Sequence, residues 1–227
     1  MSNQNAWKAA KMWAYLLLWL QNKICGTRFD FRGVENIPQN QSIIVAGKHQ
    51  SAWETYTLLL FFENPAYIFK RSLLRLPVFG WYALKLNTIP VDRAKGSMAL
   101  TTMTNTVQKV LKEETRQILI YPEGTRKVSG AKPQYKYGVT HLYLKSNVPV
   151  LPVALNSGIF WGRETFLRYK GTIIVDFLKP INTGLKKEAF SKKLQSIIED
   201  RTLFLNQEAA KEATHTKNPP PLVAQFK

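Results

Sequence analysis

The sequence predicts an α/β fold: a single domain with a mostly parallel sheet flanked by helices, plus an N-terminal membrane-interface helix. Two observations carry the fold class. Short apolar runs rich in β-branched residues recur along the chain, as in Ser42-Ile43-Ile44-Val45-Ala46, Gln117-Ile118-Leu119-Ile120-Tyr121 and Thr172-Ile173-Ile174-Val175-Asp176-Phe177. Runs of this length and composition are buried strands. Between them lie longer segments with helical spacing, and strands that alternate with helices build a parallel sheet. A third observation bounds the partners. The chain of 227 residues carries 32 Lys and Arg against 15 Asp and Glu, a net charge of +17. Such a field favours nucleic acid, acidic lipid headgroups or phosphorylated substrates and carriers.

The elements follow in chain order. Residues 1–26 are expected to form an amphipathic, interfacial helix. Its uncharged part, Met12 to Asn22, is shorter than the roughly 20 apolar residues a spanning helix needs. Trp7, Trp13, Tyr15 and Trp19 beside Lys8, Lys11 and Lys23 suit a helix lying in the headgroup region; packing on the domain is the other reading. No small-residue cleavage site follows, which argues against a signal peptide. The α/β domain is expected over 27–210. Arg28 to Arg32 alternates and reads as a strand, Gly33 to Gln41 as a loop, Ser42 to Ala46 as the central strand, and Thr55 to Phe62 as a helix in the core.

Further strands are expected at Ala66–Phe69, Thr88–Val91, Gln117–Tyr121, Val148–Leu155 and Thr172–Phe177, with helices at Pro77–Tyr82, Ser97–Glu114, Gly138–Lys145 and Leu185–Glu208. The prolines at 149 and 152 point to an edge or an end of the sheet. From 211 to 227, Pro219-Pro220-Pro221 and polar residues predict a loose tail. The single Cys25 excludes an internal disulfide, and His49, His141 and His215 lie too far apart for a metal-ligand spacing.

Polar groups gather at three strand ends. His49 follows the central strand, Asp92-Arg93 follow a second, and Pro122-Glu123-Gly124-Thr125-Arg126 follow a third. In an open parallel sheet such ends converge on one edge, where ligands bind. Glu54 lies five residues after His49, a spacing that separates them on a regular helix. They meet only if His49 is in the loop and Glu54 in the first turn, reaching back. Together they make a general base and its orienting carboxylate. Ser51-Ala52-Trp53-Glu54 also reads as a capping box, in which Glu54 merely closes the helix end. Arginines at the same edge match phosphate oxygens in pairs, and Gly124 lets backbone N–H groups approach a ligand. An ordinary turn at 122–124 and a surface ion pair between Asp92 and Arg93 are the plainer alternatives.

These residues resemble the lysophosphatidic acid acyltransferases, the 1-acylglycerol-3-phosphate O-acyltransferases of the glycerolipid acyltransferase superfamily. The motif His-x-x-x-x-Asp is matched by His49 with Glu54, a glutamate where the family usually carries aspartate. Ile89-Pro90-Val91-Asp92-Arg93 is similar to the second motif, Pro122 to Arg126 matches Pro-Glu-Gly-Thr-Arg in full, and Val148 to Val153 is similar to the apolar fourth. The resemblance runs in order from about Ile43 to Leu155. It implies that His49 deprotonates the free sn-2 hydroxyl of 1-acylglycerol-3-phosphate, which then attacks the thioester of acyl-CoA or acyl-ACP, giving phosphatidic acid. It implies no acyl-enzyme, metal or bound cofactor. Arg126 and Arg93 would hold the substrate phosphate, with Gly124 and Thr125 in the same loop; Glu123 would order that loop or contact the glycerol. The expected partners are lysophosphatidate, the acyl donor and an anionic membrane surface, and the expected place is the cytoplasmic face of the inner membrane, as a peripheral protein. A sister activity on another lysolipid, such as a lyso-aminolipid, and thioester hydrolysis stand as alternatives. A basic nucleic-acid-binding protein is the alternative from another class. It accounts for the charge but not for the strand-end polar groups, and no binding motif accompanies it.

Overall fold

The computed structural model describes residues 3–77, 79–86, 88–213 and 216–226. Helix α1 (Asn3–Cys25) leads into β1 (Thr27–Arg32); then follow β2 (Ile43–Gly47), α2 (Trp53–Thr57), β3 (Pro65–Lys70), α3 (Phe79–Lys85), β4 (Ile89–Val91), α4 (Gly96–Glu113), β5 (Gln117–Ile120), α5 (Tyr137–Ser146), β6 (Val150–Leu155), α6 (Ser157–Phe160), β7 (Gly171–Phe177) and α7 (Lys187–Ala213). The seven strands form one sheet in the order β1-β7-β6-β2-β5-β3-β4. Neighbours from β6 through β4 are parallel; β7 runs antiparallel to β6, and β1 is parallel to β7. β2 sits in the middle with every residue buried, as its unbroken apolar run requires.

Apolar side chains cover both sheet faces. One cluster joins the sheet to α1, α2, α6 and the last turns of α7 through residues such as Trp7, Trp53, Phe160 and Ala210. The other joins it to α4, α5 and the first half of α7 through Val107, Leu142, Phe190 and Leu194.

Three local expectations are corrected. The core helix after β2 keeps helical geometry only to Thr57, and Leu58–Phe61 tighten into a 3₁₀ turn. With β3 starting at Pro65, the chain has three residues in which to reverse, and tightened turns are usual at such ends. β6 is an interior strand, and while Pro149 stands just before its first residue, at the expected strand end, Pro152 lies within it. Pro152 pairs in register with Ala46 of β2, and its carbonyl accepts from Leu178 N at 2.9 Å. Its nitrogen falls between the Val153–Phe177 pairing and the Val150–Ile181 bridge, where the ladder needs no donor. The tail expected to be loose is partly docked: α7 runs on to Ala213, and Pro221–Phe226 form a 3₁₀ segment that buries Val223 against the first cluster.

Helix α1 divides its aromatic residues. Ala6, Trp7, Ala14 and Leu18 face the core at helical spacing, while Met12, Trp13, Tyr15, Leu16, Trp19 and Ile24 stay exposed. Trp7 therefore belongs to the core rather than to an interface, and Trp13 is exposed yet meets Tyr56 edge-on at 5.6 Å. Among the described residues, no helix is long and apolar enough to cross a membrane.

Candidate active site

The strand ends that carry the candidate residues lie side by side. β2 is flanked by β5 and β6 in parallel register, so the loops after these three strands open on one edge of the sheet. His49 stands two residues beyond β2, in the loop, and Glu54 is the second residue of α2. His49 Nδ1 and Glu54 Oε1 are 2.9 Å apart. The same oxygen accepts the backbone N–H groups of Gln50 and Ser51, each at 2.7 Å, and Trp53 N donates to Ser51 Oγ at 3.2 Å. The back-reaching half of the expected capping box, Ser51 N to Glu54, is present, while the helix is capped at Ala52 and Ser51 Oγ takes the Trp53 N–H. The carboxylate that reaches back to Ser51 N also orients the imidazole.

Glu54 is wholly buried, whereas the His49 side chain keeps 16% exposure. A buried carboxylate is stable only with its oxygens satisfied. Its second oxygen, Oε2, accepts from Ser157 Oγ at 2.8 Å, delivered by α6 directly after β6. Because the carboxylate can only accept, a neutral His49 carries its proton on Nδ1 and leaves the lone pair on Nε2. The ring lies flat on Tyr121, with centroids 4.0 Å apart and planes 14° apart. Burial pushes the Tyr121 phenol far above its ordinary pKa, so the platform is a neutral ring.

The Pro122–Arg126 turn grips the His49 backbone from the neighbouring strand. Glu123 Oε2 accepts from His49 N at 2.9 Å, and Lys127 N donates to the His49 carbonyl at 2.8 Å. Glu123 Oε1 bonds the Lys48 ammonium at 2.8 Å, and Glu123 is almost fully buried. Both oxygens are thus engaged inside the protein, the geometry of a residue that orders the loop. Burial raises its pKa; Lys48 and the His49 N–H pull the other way. Gly124 takes φ +69, a left-handed turn position that glycine adopts freely, and its N–H closes the turn on Tyr121 O at 2.9 Å. The Gly124 N–H is thus taken by the turn. Thr125 is exposed at the rim, and Arg126 is half-buried with no ion pair among the described residues. Arg93 opens a 3₁₀ turn after β4. β4 lies three strand positions from β2, about 14 Å across the sheet at the usual strand spacing. The Arg93 side chain, like His215, lies outside the described residues.

Lys48 is a residue beside the site that the sequence reading passes over. Side chains alternate along a strand, so Lys48 continues the inward face of Ile44 and Ala46 while His49 points to the other side. Its ammonium also bonds both oxygens of Glu199 on α7, at 2.8 and 3.0 Å, and Tyr135 OH donates to Glu199 Oε1 at 2.8 Å. A lysine in phase with a buried strand face must find carboxylates, and that was the available signal. Ser157, Glu199 and Tyr135 gave none, because topology alone brings them here. Gly158 is required by close approach: a Cβ there would lie 2.7 Å from Gln50 Cβ, and its N–H donates to Gln50 Oε1 at 3.0 Å. Chemically, the site offers an oriented base with a free Nε2, a neutral stacking platform, and a cation one loop away.

Comparison with known proteins bears on the same residues. The acyltransferase family matches the chain over residues 28–156. The chain is 39% identical over 163 residues to a 1-acyl-sn-glycerol-3-phosphate acyltransferase of Pseudomonas aeruginosa, covering 72% of this chain and 63% of that protein. It is 31% identical over 187 residues to the enzyme of that name from Borreliella burgdorferi, covering 81% and 72%. The crystal structure of the 1-acyl-sn-glycerophosphate acyltransferase from Thermotoga maritima superposes with a TM-score of 0.73 at 23% identity, over 88% of this chain and 79% of that one, a likeness of fold. The chain spans 63% and 60% of the length of the Pseudomonas aeruginosa protein and of a Mus musculus relative.

Proposed function

The chain belongs to the acyltransferase family, and from that premise we propose that it moves an acyl chain from acyl-CoA or acyl-ACP to the sn-2 hydroxyl of 1-acylglycerol-3-phosphate, giving phosphatidic acid. The observation that carries this reading is the 2.9 Å contact between His49 Nδ1 and the buried Glu54 carboxylate, which leaves Nε2 as the base at the open edge of the sheet.

In this reading Nε2 takes the hydroxyl proton as the substrate oxygen attacks the thioester carbonyl. Glu54 stabilises the imidazolium that forms. The tetrahedral intermediate collapses, the C–S bond breaks, and the imidazolium returns the proton to the leaving thiolate. No group of the protein becomes acylated. Arg126 binds the substrate phosphate from the turn after β5, and Arg93 adds a second cation from the turn after β4. Glu123 and Gly124 act on the loop that carries Arg126, with Thr125 at its rim. The exposed apolar stripe of α1 and the +17 charge suit attachment to an anionic bilayer, here the cytoplasmic face of the inner membrane.

The test is an assay with lysophosphatidate and each donor type, following phosphatidic acid by mass spectrometry. Product formation that His49→Ala abolishes is the expected result. Transfer only to a lysolipid without phosphate, or thioester hydrolysis without transfer, would overturn the substrate assignment.

A further inference from the structure

A second apolar feature adjoins α1. The segment from Trp161 to Lys170, between α6 and β7, carries Phe166 with 100% of its surface exposed and Leu167 with 62%. An exposed phenylalanine on a slack loop would mean little. This one stands on a clamped turn. Arg168 Nη1 donates to Thr165 O at 2.7 Å and Leu167 O at 2.8 Å, and Leu167 N donates to Thr165 Oγ1 at 3.1 Å. The Arg168 guanidinium stacks 3.6 Å over the Trp161 ring, closing the base of the turn. Glu164 takes φ +56, a left-handed conformation that a non-glycine residue holds only where its surroundings impose it.

The loop is fastened to the foot of α1. Thr27 Oγ1 donates to Tyr169 O at 3.3 Å, and the Lys170 stem packs beside Gly26. Trp161 packs on Tyr56 at 6.1 Å, and Tyr56 on Trp13 of α1 at 5.6 Å. The exposed residues Tyr15, Leu16, Trp19 and Ile24 belong to the same helix, whose end meets the loop at Gly26 and Thr27. Lys23 and Lys170 border this surface, exposed and without an ion pair among the described residues. Within the loop, Glu164 is neutralised by Arg163 at 2.8 Å. An apolar tip with a basic border has the chemistry of a bilayer contact rather than of an aqueous face.

We propose that the Trp161–Lys170 loop is a second membrane contact, in which Phe166 and Leu167 enter the acyl region of an anionic bilayer while Lys23 and Lys170 meet its headgroups. The proposal rests on the membrane reading of α1 and extends it to the loop that follows α6, whose Ser157 bonds Glu54. Entry of the tip would seat the general base beside the surface from which a lysolipid leaves the bilayer.

The experiment uses the full chain in a Cys25→Ser background, with Phe166→Cys carrying an environment-sensitive nitrobenzoxadiazole label. Trp19→Cys reports on α1, and Ser196→Cys on α7 serves as the control. Vesicles of phosphatidylglycerol and phosphatidylethanolamine should raise and blue-shift emission at 166 and at 19, and leave 196 unchanged. The unlabelled pair Phe166→Ser with Leu167→Ser should weaken vesicle binding about ten-fold or more. It should leave turnover of a monomeric short-chain lysophosphatidate unchanged. A response at 19 with silence at 166 overturns this inference and leaves the α1 reading standing. Silence at both positions overturns both. A response at 166 that follows protein concentration without vesicles assigns the tip to a second copy of the chain and overturns the lipid assignment.

Discussion

Glu123 accepts the backbone N–H of His49 at 2.9 Å with one carboxylate oxygen while its other oxygen holds Lys48 at 2.8 Å. The imidazole is thus aimed from two sides: Glu54 fixes the ring, and Glu123 fixes the backbone that carries it. Lys48 joins this second hold to α7 through Glu199.

Lys48→Met should be strongly destabilising. It leaves Glu123, with 1% side-chain exposure, and Glu199, with 20%, facing each other without their cation. Breaking a buried ion pair from one side costs about 3–5 kcal/mol. Urea unfolding measures it as a lower midpoint at constant slope. Adding Glu199→Gln should recover part of the loss by removing one uncompensated charge. An unchanged midpoint for Lys48→Met would mean the network contributes nothing to the fold.

Glu123 also predicts a pH dependence. Burial is the largest influence on its carboxyl and raises its pKa above the ordinary 4.5. A carboxyl with a raised folded-state pKa binds its proton more tightly folded than unfolded. Its contribution to stability is complete below the unfolded value and is lost as pH rises through the folded value. Relative to Glu123→Gln, the wild-type chain should lose stability from about pH 4.5 upward, read from urea midpoints over a pH series. A difference that grows with pH would show that Lys48 and the His49 N–H outweigh burial.

All seven strands were legible, the central ones because buried strands carry dense β-branched runs and β1 because its residues alternate, and the loop position of His49 followed from where the β2 run stops. Spacing showed only that His49 and Glu54 could meet in a loop-and-first-turn arrangement and left a plain helix cap open; the 2.9 Å contact is what the structure adds. Pro152 misled, because a proline in an interior strand is tolerated wherever the ladder lacks a partner for its nitrogen, and that gap depends on where β7 ends. Ser157 and Glu199 stayed hidden for a different reason. Their contacts with Glu54 and Lys48 span 103 and 151 positions and follow from strand order, which no local pattern encodes.

Arg126→Ala should act on the acceptor. The residue follows the turn that grips His49, is half-buried, and spends no charge on a described carboxylate. Its carbonyl is held by Arg163 Nη1 at 3.3 Å, so the backbone should survive truncation of the side chain. Loss of a charge-assisted bond to phosphate costs on the order of 2 kcal/mol, or about thirty-fold. Steady-state kinetics should show that rise in KM for lysophosphatidate, with little change for the thioester. An unchanged acceptor KM removes Arg126 from the phosphate site.

Glu54→Gln separates charge from shape. The glutamine carbonyl can still accept from Gln50 N and Ser51 N, and its amide can donate to Ser157 Oγ, so the turn into α2 keeps its bonds. Only a modest fall in Tm is expected. The imidazolium that forms when His49 takes a proton then loses the negative charge beside Nδ1. The kcat should drop by roughly two to four orders of magnitude, the range associated with compromised base catalysis. His49→Ala should fall at least as far. The double variant should lose little more, because two residues acting as one unit are not additive. Glu54→Asp should retain substantial activity if the 49–54 loop closes over one missing methylene, but it must stretch three bonds to one oxygen at once, from His49, Gln50 and Ser51. A fully active Glu54→Gln enzyme with normal stability would reduce Glu54 to a helix cap and leave His49 to act without a carboxylate.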